Sequence, residues 1–130
     1  MTLDRDKWRI LLVDDEVEFV STLAERLSLR DIEPEVVHDG QEALARIHAR
    51  APHVVILDMF MPGMKGLDVL RTLRFSHPQV QVILLTGHGA TRDAMEGMRL
   101  GAFDYMVKPI NIDDLLKKIT EAMDAAGFTA

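Results

Sequence analysis

Five short apolar runs, each followed by a polar turn and a segment of helical spacing, limit what this chain can fold into. Trp8 to Val13, Glu35 to His38, Val54 to Leu57, Val80 to Leu85 and Phe103 to Val107 read as strands. The first intervening helix, Val17 to Leu29, puts Phe19, Val20, Leu23 and Leu27 on one face. The second, Gln41 to Ala49, follows the turn Asp39-Gly40 and turns Ala43, Leu44 and Ile47 inward. A third follows Gly66, with Leu67, Val69, Leu70 and Leu73 inward, and stops before Pro78. The fourth, Ala90 to Leu100, ends at Gly101, a residue suited to a helix C-terminus. Asn111 caps the last, which buries Leu115, Leu116, Ile119 and Met123.

Strands linked by helices imply a parallel sheet covered on both faces. Right-handed crossovers leave few ways to wind it. The expectation is an α/β fold: a flavodoxin-like five-stranded parallel sheet, order 2-1-3-4-5, with helices on both faces. A length of 130 residues implies one domain over 1–130, with a core of about 8–124. Residues 125–130 are expected to be a frayed tail or the start of a linker. At 48% hydrophobic, the chain can bury a substantial core. It has no apolar run near the roughly 18 residues of a membrane span, and no signal-peptide pattern. Zero cysteines exclude disulfides and thiol catalysis and fit a reducing compartment; a soluble, cytoplasmic protein is expected. A net charge of −6 disfavours nucleic-acid binding by this domain.

The strand ends carry the chemistry. The first apolar run ends in Asp14-Asp15-Glu16 and the third in Asp58, just before Met61-Pro62-Gly63. The fourth ends in Thr86-Gly87 and the fifth in Lys108-Pro109. In a doubly wound sheet, ligands bind outside the carboxyl ends of the strands, where the first and third lie side by side. That rule brings Asp14, Asp15 and Asp58 together. Three close carboxylates repel one another until a proton or a cation neutralises them. An all-oxygen donor set suits a hard cation such as Mg²⁺, which keeps waters and takes phosphate oxygens. Lys108 can hold a phosphoryl oxygen, Thr86 adds a hydroxyl donor, and Gly87 and Gly89 leave space and free backbone N–H groups. This inventory fits phosphoryl transfer, where catalysis is positioning and charge neutralisation, with an Asp able to act as nucleophile.

Leu12-Val13-Asp14-Asp15-Glu16, Asp58-Met59-Phe60-Met61-Pro62-Gly63-Met64, Leu84-Leu85-Thr86-Gly87 and Tyr105-Met106-Val107-Lys108-Pro109 resemble the receiver domain of bacterial two-component response regulators. The resemblance covers about residues 8 to 124. Thr86-Gly87-His88-Gly89-Ala90 and Leu100-Gly101-Ala102-Phe103-Asp104-Tyr105 look most like receivers of the nitrogen-regulation type. It implies that Asp58 accepts a phosphoryl group from a sensor histidine kinase or a histidine phosphotransfer protein. It also implies that Asp15, Asp58 and the backbone carbonyl of Phe60 ligate Mg²⁺, with Asp14 acting through water or as an occasional ligand. Lys108 then pairs with Asp58 before phosphorylation and with phosphate after it. Thr86 moves to bond the phosphate, and Tyr105 turns inward, reshaping the face of helix four, strand five and helix five. A homodimer through that face belongs to the same implied set, as does a cis Lys108–Pro109 bond. The domain is expected to be a phosphoacceptor switch that catalyses only its own phosphorylation and dephosphorylation, not an enzyme.

Simpler readings stand beside these. Asp14-Asp15-Glu16 alone would be a helix-start cluster with favourable dipole charge. Threonine commonly ends strands, and an aromatic such as Tyr105 in a short strand usually packs. Met95 reads as core packing, with an adaptable partner surface shared with Met98 as the alternative. His88 could shape access to the phosphate or simply be solvated. His38, His48, His53 and His77 show no metal spacing and receive no role. A Mg²⁺-dependent phosphohydrolase would want an acid two residues after the nucleophile, where Phe60 stands. A flavin-binding electron carrier would want a phosphate loop after strand one, where the acids would repel phosphate.

Overall fold

The computed structural model describes residues 2–87 and 91–129. His88, Gly89 and Ala90, expected to line the site and open the fourth helix, lie outside the described residues. Five strands, β1 (Ile10–Val13), β2 (Glu35–Val37), β3 (Val54–Asp58), β4 (Gln81–Thr86) and β5 (Asp104–Val107), form one parallel sheet in the order β2-β1-β3-β4-β5. The helices are α1 (Val17–Ser28), α2 (Gly40–Ala49), α3 (Gly66–Ser76), α4 (Arg92–Arg99) and α5 (Ile112–Ala125). A 3-10 turn at Arg5–Lys7 precedes β1, where sequence pattern starts the strand at Trp8.

The two-residue strand period sorts the core into two layers. Leu11, Val13, Val55, Leu57, Val82 and Leu84 face the side covered by α2, α3 and α4. Ile10, Leu12, Val54, Ile56, Ile83 and Leu85 face α1 and α5. All residues of β1 and β3 are buried, as a sheet sandwiched between helices requires.

Helix ends follow the local chemistry. The Asp39 side chain accepts the Glu42 N–H, Thr91 accepts from Ala94, and Asn111 accepts from both Asp113 and Asp114. Gly101, at φ 102°, closes α4, and the Ala102 N–H returns to the Gly97 carbonyl.

Two expectations need correction. The segment after Ala125 does not fray through Phe128. Gly127 takes φ 85°, and the Phe128 N–H bonds the Met123 carbonyl, so the chain turns back on itself. The Phe128 carbonyl then accepts the Leu3 N–H at 2.8 Å, and its ring lies 4.4 Å from that of His53. Met95 is not core: it is 55% exposed, because the buried face of α4 consists of Ala94 and Gly97.

Candidate functional site

The carboxyl ends of β1, β3, β4 and β5 converge on one crevice. Asp14 continues β1 by donating its N–H to the Val37 carbonyl, which keeps its side chain in register and directs it inward, 1% exposed. Its Oδ1 then accepts the Glu16 N–H at 2.9 Å, an Asx turn that swings Glu16 back towards the crevice. Asp58 is the last residue of β3 and 4% exposed. Its Oδ1 accepts the Phe60 N–H at 3.2 Å. The start of α3 presses against this strand end: a Cβ on Gly66 would collide with the Asp58 carbonyl and lie 2.8 Å from Met59 Cα. Only glycine allows that approach.

Thr86 ends β4 and is fully buried. Its carbonyl accepts the Lys108 N–H at 2.8 Å, which fixes where the lysine leaves the sheet. The Lys108–Pro109 bond is cis. The Lys108 ammonium lies 2.6 Å from Glu16 Oε1, 2.9 Å from Asp14 Oδ2 and 3.8 Å from Asp58 Oδ2. It also sits 4.5 Å from the centre of the Phe19 ring. Lysine and Asp58 are therefore in the same site, but the shorter pairs are with Asp14 and Glu16.

Charge is concentrated here at a cost. Burial and then the Asp14 charge push Asp58 up to about 6, against the opposing pull of Lys108; Asp15 contributes a smaller upward push. Burial pulls Lys108 down, but its hydrogen bonds to Glu16 and Asp14 and the nearby Asp58 charge outweigh that, so its pKa is raised. Asp14 Oδ2 is buried, and the Lys108 ammonium 2.9 Å away is the cation that faces it. A buried anionic oxygen is suited to a cation.

Among the described residues, Asp14, Glu16 and Asp58 offer oxygens all within 4.8 Å of one another, a grouping able to hold a metal ion. Glu16 has no separate role in a reading from strand ends; the Asx turn that brings it in depends on which of three adjacent acids continues the strand. Asp15, by contrast, is exposed, although its charge reaches Asp58. Phe60 is 48% exposed beside the crevice. Tyr105 is half-buried against the layer under α2, α3 and α4. His38 Nδ1 lies 3.1 Å from the Asp14 carbonyl oxygen, so it braces the acidic loop.

The model of the response regulator receiver domain family matches residues 10–120. The transcriptional regulatory protein CpxR of Klebsiella pneumoniae is 41% identical over 111 residues, 85% of this chain and 47% of that protein. The transcriptional regulatory protein TrcR of Mycobacterium tuberculosis is 36% identical over 111 residues, 85% of this chain and 43% of that protein. The chain thus spans about half the length of the curated relatives it matches. In structure it resembles the receiver domain of NtrX from Brucella abortus, with TM-score 0.84 and 36% identity over 88% of this chain and 98% of that one. A CheY-like receiver from Methanospirillum hungatei JF-1 gives TM-score 0.87 at 29% identity, covering 92% and 95%. The likeness to NtrX agrees with the nitrogen-regulation type suggested by the loop after β4. The chain belongs to the response regulator receiver domain family, the phosphorelay modules of two-component signalling.

Proposed function

We propose that the chain is one receiver domain in which Asp58 takes a phosphoryl group from a sensor histidine kinase or a histidine phosphotransfer protein. The single observation that carries this reading is the buried Asp58 carboxylate at the crevice, pushed up to about 6, with Asp14 and Lys108 beside it. An Asp58 oxygen attacks phosphorus, the phosphorus–nitrogen bond to the donor imidazole breaks, and an acyl phosphate forms on Asp58. Lys108 meets the incoming phosphoryl oxygens and Thr86 donates a hydroxyl to them.

Mg²⁺ fits a crevice whose donors are all oxygen and anionic, Asp14 and Asp58 among them. When bound it would supply charge neutralisation for the carboxylates and the phosphoryl group. Asp58, Asp15 and the Phe60 carbonyl would hold it, with Asp14 beside them. Glu16 is already engaged by Lys108 at 2.6 Å and serves as the ammonium's partner. The chemistry is self-directed, so the domain is a switch and not a metabolic enzyme.

The output surface is that of α4, β5 and α5. Met95, Met98 and Val107 are 55%, 37% and 41% exposed on neighbouring elements, an apolar surface available to a second copy of the chain. A cytoplasmic location without direct nucleic-acid contact belongs to the same proposal. Among the described residues no helix is long and apolar enough to cross a membrane.

The direct test is intact-mass measurement after incubation with a small phosphodonor and Mg²⁺. One added phosphoryl group is expected in the unmodified chain and none in Asp58→Ala. Equal labelling of that variant would place the acceptor elsewhere.

A further inference from the structure

Histidines 48 and 77 are distant in sequence and show no metal pattern there, yet the fold puts their rings together. His48 lies in the last turn of α2, and His77 is the residue that closes α3. Their ring centres are 5.4 Å apart with planes inclined at 57°. Two imidazoles bound to one tetrahedral ion at about 2.0–2.1 Å have ring centres roughly 5 Å apart. The observed spacing is therefore close to that of two histidines sharing an ion. They form the rim of a cleft of about 310 Å³ between the two helices, floored by Leu44, Ile47 and Leu73.

The hydrogen bonds around His77 suit one tautomer. Ser76 Oγ donates to the Thr72 carbonyl at 2.9 Å. A hydroxyl has a single proton. With that proton given to Thr72, the contact of 2.8 Å between Ser76 Oγ and His77 Nδ1 has the ring N–H as donor and the hydroxyl as acceptor. With its proton on Nδ1, neutral His77 keeps its lone pair on Nε2, ready to ligate. A histidine ligand whose other nitrogen donates to a fixed acceptor is the usual supporting arrangement of a metal site. Both helices also present their C-terminal ends here, where the backbone carbonyls favour a cation. Arg46, two residues before His48, is held by Glu35 at 2.5 Å.

We propose that His48 and His77 bind one divalent ion of the zinc–copper–nickel class, which bridges the C-terminal ends of α2 and α3. Imidazole suits those ions, whereas Mg²⁺ prefers oxygen. The two cation sites of the chain are thus chemically sorted, and this one does not depend on the phosphoacceptor reading. Water completes the coordination.

The test is calorimetric titration of ZnCl₂ into the whole chain, with excess Mg²⁺ present to occupy the carboxylates. One Zn²⁺ per chain is expected. His48→Ala and His77→Ala should each lose that binding, and Ser76→Ala should weaken it by about tenfold. Asp58→Asn should bind as the unmodified chain does. Zn²⁺ should raise the melting temperature of the unmodified chain and of Asp58→Asn, but not that of either histidine variant. In NMR it should shift the ring protons of His48 and His77 and leave those of His38 and His53 in place. Unchanged binding in His48→Ala or His77→Ala overturns the proposal. So does loss of binding only in Asp58→Asn, which would put the ion among the carboxylates. Sedimentation showing that Zn²⁺ binds only as the chain dimerises would also overturn the intrachain bridge.

Discussion

Asp58 is held against its own preference. An ionised carboxylate with a raised pKa in the folded state makes that state take up a proton where the unfolded chain, near 3.8, has released it. Its contribution to stability is therefore largest below about pH 4, and it declines as pH rises through about 6. Above that, the ionised form costs on the order of 2–3 kcal/mol. Asp58→Asn should remove the decline and stabilise the metal-free protein at neutral pH by about that amount, read by urea unfolding across pH. A variant no more stable than the parent would mean that Asp58 is adequately compensated by Lys108. A companion prediction separates the acids. Asp15→Asn should weaken Mg²⁺ binding more than Glu16→Gln, because Glu16 is committed to Lys108 whereas Asp15 faces solvent. Calorimetry showing the reverse order would hand the ligand role to the Asp14–Glu16–Asp58 grouping. The acids were legible as a group in the sequence. Which of them turns inward was not, because the Asx turn at Asp14 and the pairing of Asp14 with Val37 decide it.

At the scale of elements, the caps make quantitative statements. Asn111 alone satisfies two N–H groups at the start of α5. Asn111→Ala should cost about 1 kcal/mol in urea unfolding. The proposed switch runs from Thr86 at the end of β4 to the face of α4, β5 and α5. With a beryllofluoride mimic of the phosphoryl group, amide NMR shifts should extend through α4 (Arg92–Arg99) and β5 (Asp104–Val107). Thr86→Ala and Lys108→Ala should confine them to the surroundings of Asp58. Shifts restricted to that loop in the unmodified chain would sink the two-state reading of this surface. Helix and strand placement was readable from apolar period and caps. The boundaries moved by a residue or two where the first and last pairings of the ladder, not the composition, set the end. The Gly127-Phe128 pair carried a readable signal, a helix-ending glycine followed by a hydrophobe that packs back. A short terminal segment suggests fraying only if that signal is ignored.

For the whole molecule, the exposed apolar residues of α4 and β5 predict association on activation. Sedimentation should show the beryllofluoride form shifting towards a dimer, and Val107→Asp should abolish the shift by placing a charge on that face. A monomer under both conditions would leave the face to a different partner.

The order of strands and the convergence of acids, hydroxyl and lysine at one pole follow from sequence, because crossover handedness and the two-residue strand period admit few arrangements. Four polar strand ends can meet only at the carboxyl edge of such a sheet. Tertiary structure decided the rest. It set the partners of Lys108, the burial of Asp14 beside an exposed Asp15, the exposure of Met95 and the meeting of His48 with His77. Each depends on where loops and helix ends lie after packing, and side-chain contacts across elements leave no period in the chain. Local pattern specifies which way a strand runs and which face a helix buries, whereas the distance between two helix ends is a property of the closed core alone.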